Sequence, residues 1–76
     1  MEELLAYLAR ELVDHPEDVR VDRHDAGPDV VLELHVAEDD VGKVIGKQGR
    51  IARALRSIVR AGGARADERY LLEIAD

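Results

Sequence analysis

The sequence predicts a two-layer α+β domain: three helices packed on one face of a three-stranded sheet, in the order helix, strand, strand, helix, helix, strand. Three observations predict it. Leu4, Leu5, Leu8 and Leu12 recur at helical spacing near the N-terminus. Two alternating segments flank "DAGPD" and read as a hairpin. A basic segment interrupted by glycines then precedes a last alternating run, "RYLLEIA". The 76 residues allow one domain, taken here as residues 1–76, and the 46% of apolar residues suffice for a small core.

Each element has a local reason. Pro16 biases His15 away from helical angles, so the first helix should end near Asp14. "VRVDR" (Val19 to Arg23) alternates and predicts a short strand. Gly27 and Pro28 mark the turn. In "VVLELHV", Val30, Leu32, Leu34 and Val36 share one face and Val31, Glu33 and His35 the other. Asp39 and Asp40 suit the start of a short helix, from about Asp40 to Ile45, because acids favour a helix N-terminus. Gly46 to Gly49 breaks that helix. The next runs from about Arg50 to Ala61, and Gly62 and Gly63 are expected to stop it. Arg69 to Ala75 forms the last strand, with Tyr70, Leu72 and Ile74 on one face.

Charge is distributed unevenly. The net charge is −6, yet residues 41–66 hold 7 bases and no acid, whereas residues 1–40 hold 13 acids and 3 bases. Such asymmetry is a site-level signal that net charge hides, and by itself it equally describes a solvated basic helix face. There is no cysteine, hence no disulfide and no thiolate metal site. The acidic N-terminus lacks signal-peptide character and no apolar run is long enough for a membrane span, so a cytoplasmic location is expected. Ser57 is the only serine, and threonine is absent, so no nucleophile constellation exists and no enzyme is expected. His15, His24 and His35 lie on separate turn and strand positions and read as surface residues; no metal and no cofactor is predicted.

The clean segment carries the functional signal. In "VGKVIGKQGRIARALR", Gly46 and Gly49 stand three apart between two helices, and the second helix starts directly after Gly49. Its unpaired N–H groups and positive dipole end face the loop, and the glycines let a ligand backbone approach closely. Lys47 sits on the tip and Arg50 opens the helix. The spacing fits neither a P-loop nor a dinucleotide fingerprint. Both lysines of the chain, Lys43 and Lys47, fall in this segment, and lysine is a mobile point charge suited to phosphate.

Ile45, Gly46, Gly49 and Ile51 resemble the Ile-Gly-x-x-Gly-x-x-Ile signature of the KH domain, with the last isoleucine one position early. The element order resembles the type II, bacterial KH arrangement. Length, acidic first half and "VGKVIGKQGR" together resemble the small stand-alone bacterial KH proteins of the KhpA family. The resemblance implies a type II KH fold that binds single-stranded RNA backbone as a chaperone or regulator of transcripts, linked to cell elongation and division. It implies phosphates passing Gly46, Lys47, Gln48 and Gly49, flanked by Lys43, Arg50 and Arg53. Bases would lie between the motif helices and the second strand, with Val41 and Val44 as candidate walls and Ile45 and Ile51 in the core. Tyr7 and Tyr70 are the only aromatics and lie outside the motif, so stacking on rings is not expected to supply affinity. Single-stranded DNA stays open as a ligand, and so does a protein-interaction adaptor that binds RNA only incidentally.

The last helix also predicts a partner. With Ile51 placed at 0°, Ile58, Ala54 and Ala61 lie at about −20°, −60° and −80°, and Leu55, Val59 and Ala52 at about 40°, 80° and 100°. This apolar arc is wider than one core contact requires. Ala54, Ile58 and Ala61 are therefore expected to pair with a second copy, or with the equivalent helix of a KH partner; the family resemblance implies a larger KH-containing (KhpB/Jag-like) protein as that partner.

Overall fold

The computed structural model describes residues 1–75. Helix α1 spans Glu2–Leu12, strand β1 Arg20–Ala26, strand β2 Asp29–His35, helix α2 Val41–Ile45, helix α3 Arg50–Arg65 and strand β3 Arg69–Ile74. Short 3-10 turns at Pro16–Asp18, Glu38–Asp40 and Lys47–Gly49 join them. The predicted order of elements is the observed one. β2 is the central strand, antiparallel to β1 and parallel to β3. The parallel pairing requires the long crossover that α2 and α3 supply.

Alternation places Val30, Leu32 and Leu34 of β2 and Tyr70 and Leu72 of β3 under the helices, where all are buried. From above come Leu5, Ala6 and Ala9 of α1, Val44 of α2, and Ala52, Leu55 and Val59 of α3. The second face of the sheet is left open.

Several boundaries differ from expectation. β1 reaches Ala26 rather than Arg23, because its ladder with β2 continues to the pair Ala26–Asp29. That leaves a two-residue turn, with Gly27 at a φ of 66° and proline's fixed φ after it, the residue pattern of a type II′ hairpin. α1 ends at Leu12 rather than near Asp14. Its buried face is Leu5, Ala6 and Ala9, whereas Leu4 and Leu12 of the leucine series are exposed.

α3 is corrected most. It does not stop at Gly62 but continues to Arg65, and the chain reverses at Asp67, whose φ is 57°. Short polar residues tolerate that left-handed conformation. Gly63 is a contact point: a Cβ there would lie 2.7 Å from the Glu68 carbonyl oxygen and 2.9 Å from the Tyr70 ring. The Glu68 N–H donates to the Gly63 carbonyl at 2.7 Å, which ties the helix end to the start of β3.

Asp40 does not cap α2 with its side chain. Only 1% exposed, its carboxylate accepts the backbone N–H groups of Asp14 (3.2 Å) and His15 (2.9 Å). The acid expected to cap α2 anchors the exit of α1 instead. A buried carboxylate so bonded satisfies donors that would otherwise be stranded.

Candidate nucleic-acid interface

The loop between α2 and α3 is shaped by its backbone. Gly46 has φ 76° and ψ 173°, a region open essentially to glycine alone. It is also close-packed: a Cβ would meet Ile51 Cγ1 at 2.7 Å. Ile51 therefore sits half-buried where the missing Cβ leaves room, which explains an isoleucine just beyond the second glycine. Gly49 has φ 72° and faces open space. Between them Gln48 takes φ 58° and ψ 24°, left-handed for a residue with a side chain.

Hydrogen bonds hold this shape. The Gly49 N–H donates to the Gly46 carbonyl at 3.1 Å. The Arg53 guanidinium donates to the Gln48 carbonyl at 3.2 Å, and Arg50 to Gln48 Oε1 at 3.3 Å. Two of the cations expected to flank a ligand thus also brace the loop that would hold it. Lys47 is exposed at the tip and has no ion-pair partner among the described residues. The loop opens directly into α3, 16 residues long, whose N-terminal amides and dipole favour an anion.

Lys43 differs from the other cations. Its ammonium lies 2.8 Å from the Asp14 carboxylate. Hydrogen bonding to Asp14, then its charge, raises the lysine pKa, and the same contact lowers that of Asp14. Lys43 shares its charge with the α1 exit and is less available than Lys47.

The helix flank beyond the loop adds Arg56 and Arg60 to the expected cations. Arg53, Arg56 and Arg60 rise along one side of α3 at three- and four-residue spacing. Arg56 and Arg60 border a cleft of about 260 Å³ with Tyr70, Leu71 and Leu72 of β3. Leu71 of this edge strand is 43% exposed, its side chain alternating with those of Tyr70 and Leu72 toward the open face of the sheet. Their three- and four-residue spacing is legible in the sequence, but β3's position beside that face is a tertiary fact. Tyr70 is held in the cleft by its hydroxyl, which donates to Glu68 at 3.0 Å; that bond, then burial, raises its pKa.

The cleft of about 400 Å³ at the end of the second strand is lined by His35, Val36, Glu38, Val41 and Ala75 and by no residue of α3, so it is not the groove expected between the two motif helices. It carries an acid and no lysine or arginine. Val44 is fully buried and walls no groove. Ile45, expected in the core, is 37% exposed.

On the opposite flank of α3 the apolar arc is only half covered. Ala52, Leu55 and Val59 are buried, whereas Ala54 and Ala61 are exposed and Ile58 is 40% exposed. An apolar groove of about 380 Å³ runs there between α1 and α3, lined among others by Leu8, Leu12, Ile51, Ala54 and Ile58.

A glycine loop joining two helices over a sheet with one parallel and one antiparallel neighbour defines a type II KH domain. The family model described as "KhpA/KhpB, KH domain" matches residues 2–74, and the chain belongs to that family. It is 53% identical over 76 residues to the RNA-binding protein KhpA of Halalkalibacterium halodurans, covering 100% of both chains. It is 53% identical over 75 residues to the protein of that name from Treponema pallidum, covering 99% of this chain and 94% of that one. To the Bacillus subtilis KhpA it is 43% identical, covering 100% and 94%. Among solved structures, Aquifex aeolicus Era bound to GDP·AlF4− superposes with a TM-score of 0.71 at 19% identity, over 96% of this chain and 28% of that chain. This last likeness concerns the fold alone.

Proposed function

We propose that this chain is a non-enzymatic binder of single-stranded RNA. It grips the backbone at Gly46–Gly49 and lays the following nucleotides along Arg53, Arg56 and Arg60 into the cleft between α3 and β3. The observation that carries the reading is the loop. Its shape is already set, its tip bears an exposed lysine, and it leads into the positive end of a long helix. Relatives with the same loop-bearing fold are named for RNA binding. Cationic walls suit phosphate. In the cell such a protein acts on transcripts as a chaperone or regulator.

Lys47→Asp with Gln48→Asp tests the assignment by fluorescence polarisation on single-stranded RNA. Neither side chain contributes to the core, and Asp tolerates the left-handed conformation of position 48. Binding should fall at least about tenfold, a change of about 1.4 kcal/mol, with an unchanged circular dichroism spectrum. Affinity equal to wild type would remove the loop from the site. The logarithmic salt slope should lie at about −1.5 to −3, as neutralising about two to four phosphates requires.

The same reading includes a partner. The uncovered strip of Ala54, Ile58 and Ala61, continuous with Leu8 and Leu12, suits pairing with a second copy or with a larger KH-containing protein. Two joined copies present two loops and gain affinity through effective concentration. Sedimentation should show wild type as a dimer and Ile58→Asp as a folded monomer. A monomeric wild type at high micromolar concentration would exclude self-pairing.

A further inference from the structure

The sheet face turned away from the helices carries a different set of groups. In the ladder register Asp22 of β1 stands opposite Glu33 of β2, and Glu33 stands beside Glu73 of β3. Three carboxylates therefore form a row across the sheet. Like charges directly opposite one another on a sheet are destabilising, so the row calls for a cation. Arg20 supplies part of one, with Nε 3.2 Å from Asp22 Oδ2.

Two imidazoles flank the row. His24 pairs with Val31 and His35 with Arg20, so each lies diagonal to a carboxylate of the neighbouring strand. One ligand atom each from Asp22, His24 and Glu33 fall within 4.8 Å of one another. His24 Nε2 is 3.8 Å from Glu33 Oε1. His35 Nε2 is 2.7 Å from the same oxygen and 3.2 Å from Asp22 Oδ2. Two of the three histidines that look scattered along the chain, His24 and His35, are brought to one spot by the hairpin register.

We propose that the open sheet face binds one divalent transition-metal ion of the Zn²⁺ class through Asp22, His24 and Glu33, with His35 hydrogen-bonded to Glu33 and holding it in place. A mixed imidazole and carboxylate set suits zinc and its neighbours; calcium and magnesium take oxygen ligands. Three protein ligands leave positions open for water. Hydrogen bonds that orient ligating carboxylates strengthen such sites. The ion would pin β1 to β2 and neutralise the carboxylate row. The site rests on no part of the RNA reading.

The test is calorimetric titration of Zn²⁺ into the untagged chain at a pH of about 7.5, above the ordinary imidazole range. One ion per chain is expected. His24→Ala and Asp22→Asn should abolish binding, and His35→Ala should weaken it about 10–100-fold. His15→Ala, on the α1–β1 connection, should change nothing, and Mg²⁺ should give no heat. In a parallel NMR titration the ring signals of His24 should move and those of His15 should not. The proposal is overturned by no saturable binding below about 1 mM, by full affinity in His24→Ala, by one ion per two chains, or by unmoved His24 signals.

Discussion

Two glycine pairs lie just before α3 and near its C-terminal end, and they behave in opposite ways. Gly46 and Gly49 have φ values of 76° and 72° and break the chain between α2 and α3. Gly62 and Gly63 lie inside α3 without positive φ, and the helix runs through them. The first pair is needed for conformation, which other residues reach only with strain. Within the second pair, Gly63 is needed for space, because the backbone of β3 crosses where a side chain would stand. A glycine pair in a sequence is thus not one signal. The loop pair shapes the exposed turn between α2 and α3, while Gly63 closes the contact between helix and strand that builds the cleft beside it.

Alanine substitutions sharpen the contrast. Gly46→Ala should have the largest effect, since both arguments apply. The strained conformation contributes about 1–3 kcal/mol and the contact with Ile51 about as much again. A thermal melt should show the midpoint lowered by roughly 10 °C or more, at about 4–8 °C per kcal/mol in a domain of this size. Gly49→Ala, strained but unobstructed, should lose only about 1–2 kcal/mol. Equal losses at the two positions would show that Ile51 yields and that φ alone matters.

The helical pair should differ even in sign. Gly63→Ala should lose about 1–3 kcal/mol in urea unfolding, because the atoms it meets are the Glu68 carbonyl and the Tyr70 amide, which cannot rotate aside. Gly62→Ala meets only the end of the flexible Met1 side chain. It should leave stability unchanged or raise it by up to about 1 kcal/mol, the ordinary helical preference for alanine over glycine. A loss at Gly62 as large as at Gly63 would mean that both glycines are held by packing.

The sequence by itself determined the type and order of every α-helix and strand, the loop at Gly46–Gly49 and the basic segment around it. These depend on periodicity, backbone freedom and charge within a few neighbouring residues, so they can be read from a short window. It also marked α3 as too apolar for one contact, since the angular spread of Ile51, Leu55, Ile58 and Val59 is a property of the helix alone. Only the tertiary structure decided which part of that arc meets the sheet, leaving Ala54, Ile58 and Ala61 outside. It moved Asp40 from helix cap to buried anchor for Asp14 and His15, across a separation of 25 to 26 residues. It carried α3 through Gly62 and Gly63 to Arg65, set Arg56 and Arg60 against β3, and aligned Asp22, Glu33 and Glu73 in one row. Each of these depends on register and crossing between segments far apart in the chain, where the neighbour that settles a residue's role is absent from any local pattern.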